Sequence, residues 1–165
     1  MFEDMPWKSE PDSWEGEESG LKCRIVRVKW SGHLCGYVGV PEGHPLFKRE
    51  YNNCPSDIEA HGGLTFSDHF KDDDRWYLGF DCAHLGDLQP YRFERGDYGF
   101  GEETYKTFDY VRNEVKALAL RLSREPDLDK MQKTFEEWFS TFDGFSTYDA
   151  AKQGWTAALE WIKQQ

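Results

Sequence analysis

Four side chains able to hold a metal or move a proton sit in two short, glycine-flanked segments of this chain. His61 opens His61-Gly62-Gly63-Leu64-Thr65-Phe66. Asp81, His84 and Asp87 punctuate the end of Trp76-Tyr77-Leu78-Gly79-Phe80-Asp81-Cys82-Ala83-His84-Leu85-Gly86-Asp87. Imidazoles and carboxylates are costly to bury unless they are paired, liganded or hydrogen-bonded. If the second segment is a strand that ends near Asp81, the chain turns through Cys82–Gly86, and its three polar side chains converge at the end of a sheet. His61 from a neighbouring strand then completes a His₂Asp₂ set. Such a set suits Zn²⁺ or Mn²⁺ with a position left open for water. It also suits catalysis in which Asp81 orients His84 as a general acid or base, with His61 beside it. A plainer arrangement has Asp81 capping the turn, His84 bonded to backbone carbonyls and Asp87 exposed. The spacing D-x-x-H-x-x-D does not choose among them.

Several neighbours bear on a ligand. Paired glycines in a strand, Gly62 and Gly63, leave a gap in which a ring or phosphate fits, or else mark a bulge. In a regular strand Glu59 shares a face with His61. His44 lies in a loop between Gly43 and Pro45, either as a ligand contact or as an ordinary exposed histidine. Tyr37, Phe66, Trp76 and Tyr77 are candidates to stack a base. Arg92, with Lys48, Arg49, Arg75 and Arg95, supplies cations for a phosphate if two of them face the cleft, and surface charge otherwise. Cys82 has His84 two residues away, as a thiolate nucleophile needs, but its apolar neighbours fit a buried structural thiol better, and the same holds for Cys35. The G-x-x-G at Gly36–Gly39 lacks the lysine of a phosphate-binding loop.

The elements that must position these residues are legible in part. Lys22–Trp30 alternates, with Cys23 and Ile25 on one face, and His33–Val40 returns after a turn at Ser31-Gly32, which makes a hairpin. Pro41 and Pro45 end that strand, and residues 41–57 form a long loop. Ile58–Phe66 is the third strand, His69–Arg75 a polar connection and Trp76–Asp81 the fourth strand. The stretch from Leu85 to Gly101 reads as irregular. From there the period changes to helical: Phe108, Val111, Val115, Leu118, Ala119 and Leu122 share one face, with Thr104 or Thr107 as cap. Met131–Phe142 and Ser146–Ile162 suggest two further helices. The expectation is an α+β fold, an antiparallel sheet of about four strands over residues 22–82 followed by three helices. The divisions are an acidic arm, residues 1–20, a core domain, 21–122, and a helical extension, 123–165, packed on the core or forming a homo-oligomer interface.

Composition narrows the function classes. The formal net charge is −11, and residues 1–20 hold seven acids against Lys8. An acidic surface repels phosphate backbones, so direct nucleic-acid binding is not expected. Acidic mimicry of nucleic acid toward a host protein stays open. With 7 Trp, 8 Tyr and 12 Phe in 165 residues, the chain can bury a sizeable core. Cys23, Cys35, Cys54 and Cys82 show no C-x-x-C spacing, so free thiols in a reducing cytoplasm are expected. The acidic start is unlike a signal peptide, and no apolar run is long enough to span a membrane.

Three blocks together carry a resemblance: CGYVGVPEGHPLF at Cys35–Phe47, HGGLTFS at His61–Ser67 and WYLGFDCAHLGDLQP at Trp76–Pro90, with TYKTFDYVRNEVKALALRL at Thr104–Leu122 in the same order. The chain resembles a widespread group of phage and prophage proteins of no established activity. The resemblance covers residues 20–122. It implies a virus-encoded accessory protein in bacterial cytoplasm and points at His44, His61, Asp81, His84 and Asp87 without implying a reaction. The expected function is binding of a small nucleotide-like ligand, such as a host defence signal, through Tyr37, His44, His61, Gly62, Gly63, Asp81, His84, Asp87 and Arg92. The alternatives are a hydrolase, most plausibly a phosphodiesterase, using His61, Asp81 and His84 with or without a divalent metal, and an acidic inhibitor of a host nucleic-acid-binding complex.

Overall fold

A computed structural model describes residues 5–97, 99, 101–124 and 154. The chain divides into two compact units, Met1–Arg124 and Glu125–Gln165. The helices expected at 131–142 and 146–162 lie outside the described residues apart from Gly154, which is helical.

The first unit is a mixed α+β structure on one antiparallel sheet. Its five strands are β1 (Ser13–Glu18), β2 (Leu21–Arg27), β3 (Leu34–Val40), β4 (Phe66–Phe70) and β5 (Asp73–Asp81), in the order β1-β2-β3-β5-β4. Two α-helices follow among the described residues, the short α1 (Pro90–Glu94) and α2 (Phe108–Leu122). No helix among them is long and apolar enough to cross a membrane.

The central hairpin forms where alternation predicts it. Cys23 and Ile25 are buried on one face of β2, opposite Val38 and Gly36 of β3. That face receives α2, whose Val111, Val115, Leu118, Ala119 and Leu122 are buried against it. Thr107 caps the helix, its hydroxyl accepting from the Tyr110 N–H at 3.2 Å. Gly36 allows the close approach: a Cβ there would stand 2.6 Å from both Val115 Cγ2 and Phe80 Cζ. The irregular stretch after Leu85 contains α1, started by Pro90 at its first position.

Three expectations are corrected. Residues 58–66 are not the third strand. Gly62 and Gly63 adopt φ +64° and +94°, and His61 lies in a turn closed by Gly63 N–H donating to the Ala60 carbonyl at 2.9 Å. The strand is Phe66–Phe70, so most of the expected polar connection belongs to β4 and β5, and only Lys71-Asp72 turns. Charged residues are tolerated there because β4 is an edge strand. Third, residues 5–20 of the expected acidic arm belong to the core. Ser13–Glu18 pairs with Leu21–Val26 of β2, making a fifth strand, and Trp7 is buried with Leu88 and Tyr105. Three acids of this segment face arginines of the same body: Asp12 meets Arg27 at 2.8 Å, Glu15 meets Arg24 at 3.3 Å and Glu18 meets Arg112 at 3.7 Å.

Arg27 anchors this segment. Its side chain is 2 % exposed. Nε donates to Asp12, Nη1 to the Gly32 carbonyl and the Tyr105 hydroxyl, and Nη2 to Glu10 and the Pro11 carbonyl. Glu10 also accepts from Tyr105 Oη and, through its other oxygen, from the Phe108 N–H at the start of α2. One buried cation thus joins the N-terminal segment, the β2–β3 turn and the helix.

A second buried charge fixes the other end of the sheet. Asp73 opens β5, 4 % exposed, and accepts from Lys22 at 2.7 Å, Tyr77 Oη at 2.9 Å and Arg75. Burial pushes its carboxyl up, but these donors outweigh burial and hold it well below the usual carboxylate range. A depressed carboxyl stabilises the fold above its unfolded pKa of about 3.9, and that contribution fades as pH falls below it. Asp73→Asn should therefore lower stability at pH 7 by about 2–3 kcal/mol and flatten the decline between about pH 4 and pH 2, read by urea titration across pH. Arg27→Met, which strands Glu10, should cost about 3 kcal/mol in the same assay.

Candidate functional site

The end of the sheet where β5 finishes gathers the polar side chains. Past Asp81 the chain turns, and Asp87 N–H donates to the His84 carbonyl at 2.9 Å. Asp87 also pairs in a lone parallel bridge with Thr104, just ahead of α2. The backbone of Asp87 is thus held from both sides, and its carboxylate is 4 % exposed.

Three groups meet that carboxylate. Oδ2 lies 2.8 Å from His61 Nε2, accepts the His84 backbone N–H at 3.0 Å, and stands 3.5 Å from His84 Nδ1. Lys106 Nζ approaches Oδ1 at 3.6 Å. Burial alone would push the carboxyl up, but the His61 hydrogen bond, the His84 N–H and Lys106 hold it below its ordinary value. It is therefore an anion at neutral pH. An anion can only accept, so a neutral His61 carries its proton on Nε2 and leaves Nδ1 as an acceptor. The Tyr110 hydroxyl, 3.0 Å from Nδ1, supplies the proton. Hydroxyl, imidazole and carboxylate form one continuous hydrogen-bonded chain. Tyr110 is 38 % exposed, so the chain opens to solvent at its hydroxyl end. Burial, then Glu114, raises the phenol above its ordinary value, and the hydroxyl stays protonated until a base takes its proton.

His84 packs across Gly62. A Cβ on residue 62 would stand 2.2 Å from His84 Cε1, and the φ of +64° is one that side chains rarely adopt. Gly62 therefore makes room for an imidazole of the same chain. The His61 and His84 rings lie 5.4 Å apart, edge to face. His84 Nδ1 is buried with no hydrogen-bond partner. Asp81, 3.9 Å from it, accepts the Ala83 N–H at 3.0 Å and so caps the turn.

The remaining candidates fall elsewhere. His44 bonds the Leu122 carbonyl through Nε2 at 2.8 Å and accepts the Leu46 N–H on Nδ1, which ties the loop to the end of α2. Leu122 and Tyr110 are roughly 18 Å apart along a helix rising about 1.5 Å per residue, so His44 lies at the end of α2 away from His61. Tyr37 packs edge-on against Phe66 and Phe70, on the sheet face turned away from α2, whereas His61 rests against Phe80 and Tyr110. Arg92 pairs with Asp97 at 2.9 Å. Glu59 meets Arg121 at 3.6 Å and not His61, because the turn breaks the strand that would align them. A Cβ on Gly63 would meet nothing within 4 Å. Burial pushes the Cys82 thiol far up and the Cys35 thiol to about 11, which fits structural thiols. An open groove of about 490 Å³ lies at the far end of the sheet, lined by Glu15, Leu21, Lys22, Gly39 and Arg75.

Tyr110 and Lys106 had no signal in the sequence. Tyr110 sits on the exposed side of an amphipathic helix, where a tyrosine is commonplace, and only the docking of α2 brings it to His61. No protein-family model, curated protein or solved structure matches the chain, so no activity carries over from a relative.

Gly62→Ala should displace the His84 ring and cost about 2 kcal/mol, from a strained φ together with the clash. Thermal unfolding with the His84 ring resonances checks both. Gly63→Ala, which has the strain without the clash, should leave those resonances in place.

Proposed function

We propose that this protein is a hydrolase whose chemical centre is the Tyr110–His61–Asp87 chain, acting on a small ester, with a phosphodiester favoured. The observation that carries the reading is the pair of hydrogen bonds, 3.0 Å and 2.8 Å, on the two nitrogens of one imidazole. Hydroxyl, base and orienting carboxylate in that order are the parts of nucleophilic and general-base catalysis. His61 accepts a proton through Nδ1, either from Tyr110 or from a water beside it, as the oxygen attacks the ester. Asp87 holds the ring in the tautomer that leaves Nδ1 free, then stabilises the imidazolium. Where water attacks, returning that proton to the leaving oxygen completes the cycle; where Tyr110 attacks, the leaving oxygen takes the proton and a tyrosyl ester remains, which a water deprotonated by His61 then cleaves to restore the phenol. Lys106, 3.6 Å from Asp87 and 5.6 Å from the Tyr110 ring centre, is the fixed cation that favours an anionic ester.

The binding reading is less well supported, because Tyr37 and Phe66, expected to stack a base, pack on the opposite sheet face. Acidic mimicry is weakened in turn, because several acids of the N-terminal segment are taken up by arginines of the fold. The setting proposed for the hydrolase is the phage-encoded one that the sequence blocks imply.

Bis(p-nitrophenyl) phosphate, p-nitrophenyl phosphate and p-nitrophenyl acetate, assayed with excess chelator, test the reading. Asp87→Asn and His61→Gln should each lower turnover by about 10²–10⁴-fold. Tyr110→Phe separates a phenol nucleophile, where turnover is abolished, from an activated water, where part survives. Wild-type rates equal to those of Asp87→Asn on all three substrates would remove the proposal.

A further inference from the structure

We propose that His61, His84 and Asp87 form a binding site for Zn²⁺, and that the bound ion switches the acid–base chain off. The inhibitory consequence rests on the reading of His61 as the base; the binding does not. The three donors all lie within 4.8 Å of one another. Asp87 Oδ2 stands 2.8 Å from His61 Nε2 and 3.5 Å from His84 Nδ1. Donors around a tetrahedral zinc with bonds of about 2.0–2.1 Å stand roughly 3.3 Å apart, so small side-chain shifts suffice.

Independent support comes from His84. Its Nδ1 is a buried nitrogen without a hydrogen-bond partner, aimed at the carboxylate, and buried polar atoms are rarely left so. The ring already lies over residue 62, where only a glycine leaves space for it. The His84 backbone N–H on Asp87 and the Tyr110 hydroxyl on the far nitrogen of His61 are the kind of outer contacts that hold metal-binding side chains in place. Two imidazoles and one carboxylate are a donor set that Zn²⁺ accepts with one position open, whereas Mg²⁺ and Ca²⁺ favour oxygen. Lys106 reaches the other carboxylate oxygen, Oδ1, and leaves Oδ2 to the ion, though its charge will weaken binding.

The switch is a proton relocation. Zinc takes the Nε2 lone pair of His61, so the ring proton moves from Nε2 to Nδ1 and no net proton is released. Nδ1 then donates to Tyr110 Oη where before it accepted. The hydroxyl loses its base, and the chain is off.

Isothermal titration with ZnCl₂ in substrate-free protein reads binding, and Co²⁺ visible absorption reads the coordination. One ion per chain is expected, with the intense bands of a four- or five-coordinate centre. His84→Ala and Asp87→Asn should each weaken binding by about a hundredfold or more, Tyr110→Phe by about tenfold, and His69→Ala, on β4, not at all. Thermal unfolding of each apo variant separates ligand loss from misfolding. Absence of saturable binding in the wild type would overturn the site, as would binding unchanged in both folded His84→Ala and folded Asp87→Asn. Where hydrolysis is present with chelator, saturating zinc should abolish it. Zinc-bound protein with full activity would overturn the switch, whereas absence of hydrolysis with chelator would count against the acid–base reading and leave metal binding standing.

Discussion

The arrangement depends on one buried cation. The Arg27 guanidinium is nearly free of solvent, and an unpaired charge there would be too costly to keep. Each of its three nitrogens has acceptors, and those acceptors come from separated parts of the chain. Glu10, drawn in by Arg27, reaches on to the first turn of α2. The requirement to satisfy one guanidinium therefore sets where the helix begins relative to the sheet. Tyr110 is two residues into that helix, so the same requirement helps place its hydroxyl at His61. Fold and candidate site share this constraint.

The site shows the same logic with the sign reversed. Asp87 is a buried anion that organises its surroundings, with one oxygen serving an imidazole and a backbone amide and the other facing a lysine. Because the carboxylate is ionised, it dictates which nitrogen of His61 carries the proton, and through the ring it dictates that Tyr110 donates. The chemistry of an exposed hydroxyl is thus decided by a group that solvent barely touches. His84 remains the unsatisfied member, and the zinc proposal follows from that imbalance.

Local patterns were readable where one physical force dominated. The β2–β3 hairpin follows from alternation in Cys23–Ile25 and Leu34–Val40, and α2 from apolar residues at helical spacing behind a Thr107 cap. The misreadings have particular causes. Residues 58–66 carry strand-like composition, but positive φ at Gly62 and Gly63 turns the chain. His69–Arg75 looks like a loop because an edge strand needs no apolar alternation. The acidic start reads as an arm because acids dominate its composition, and its pairing with Arg24, Arg27 and Arg112 is not visible to a local pattern. His44 draws notice through its glycine and proline neighbours, and the structure bonds it to the Leu122 carbonyl at the end of α2.

The sequence by itself determined the ingredients: the α+β class, the central hairpin, the amphipathic helix, and a histidine–aspartate group around residues 61 and 81–87. Residue type and short-range periodicity carry that much, because burial acts on every local pattern alike. Only the tertiary structure decided that Asp87 and not Asp81 is the central acid, that Gly62 accommodates His84, and that Tyr110 completes the chain. Those outcomes turn on hydrogen bonds a few ångströms long between segments up to 49 residues apart, set by how buried charges on several elements are satisfied together.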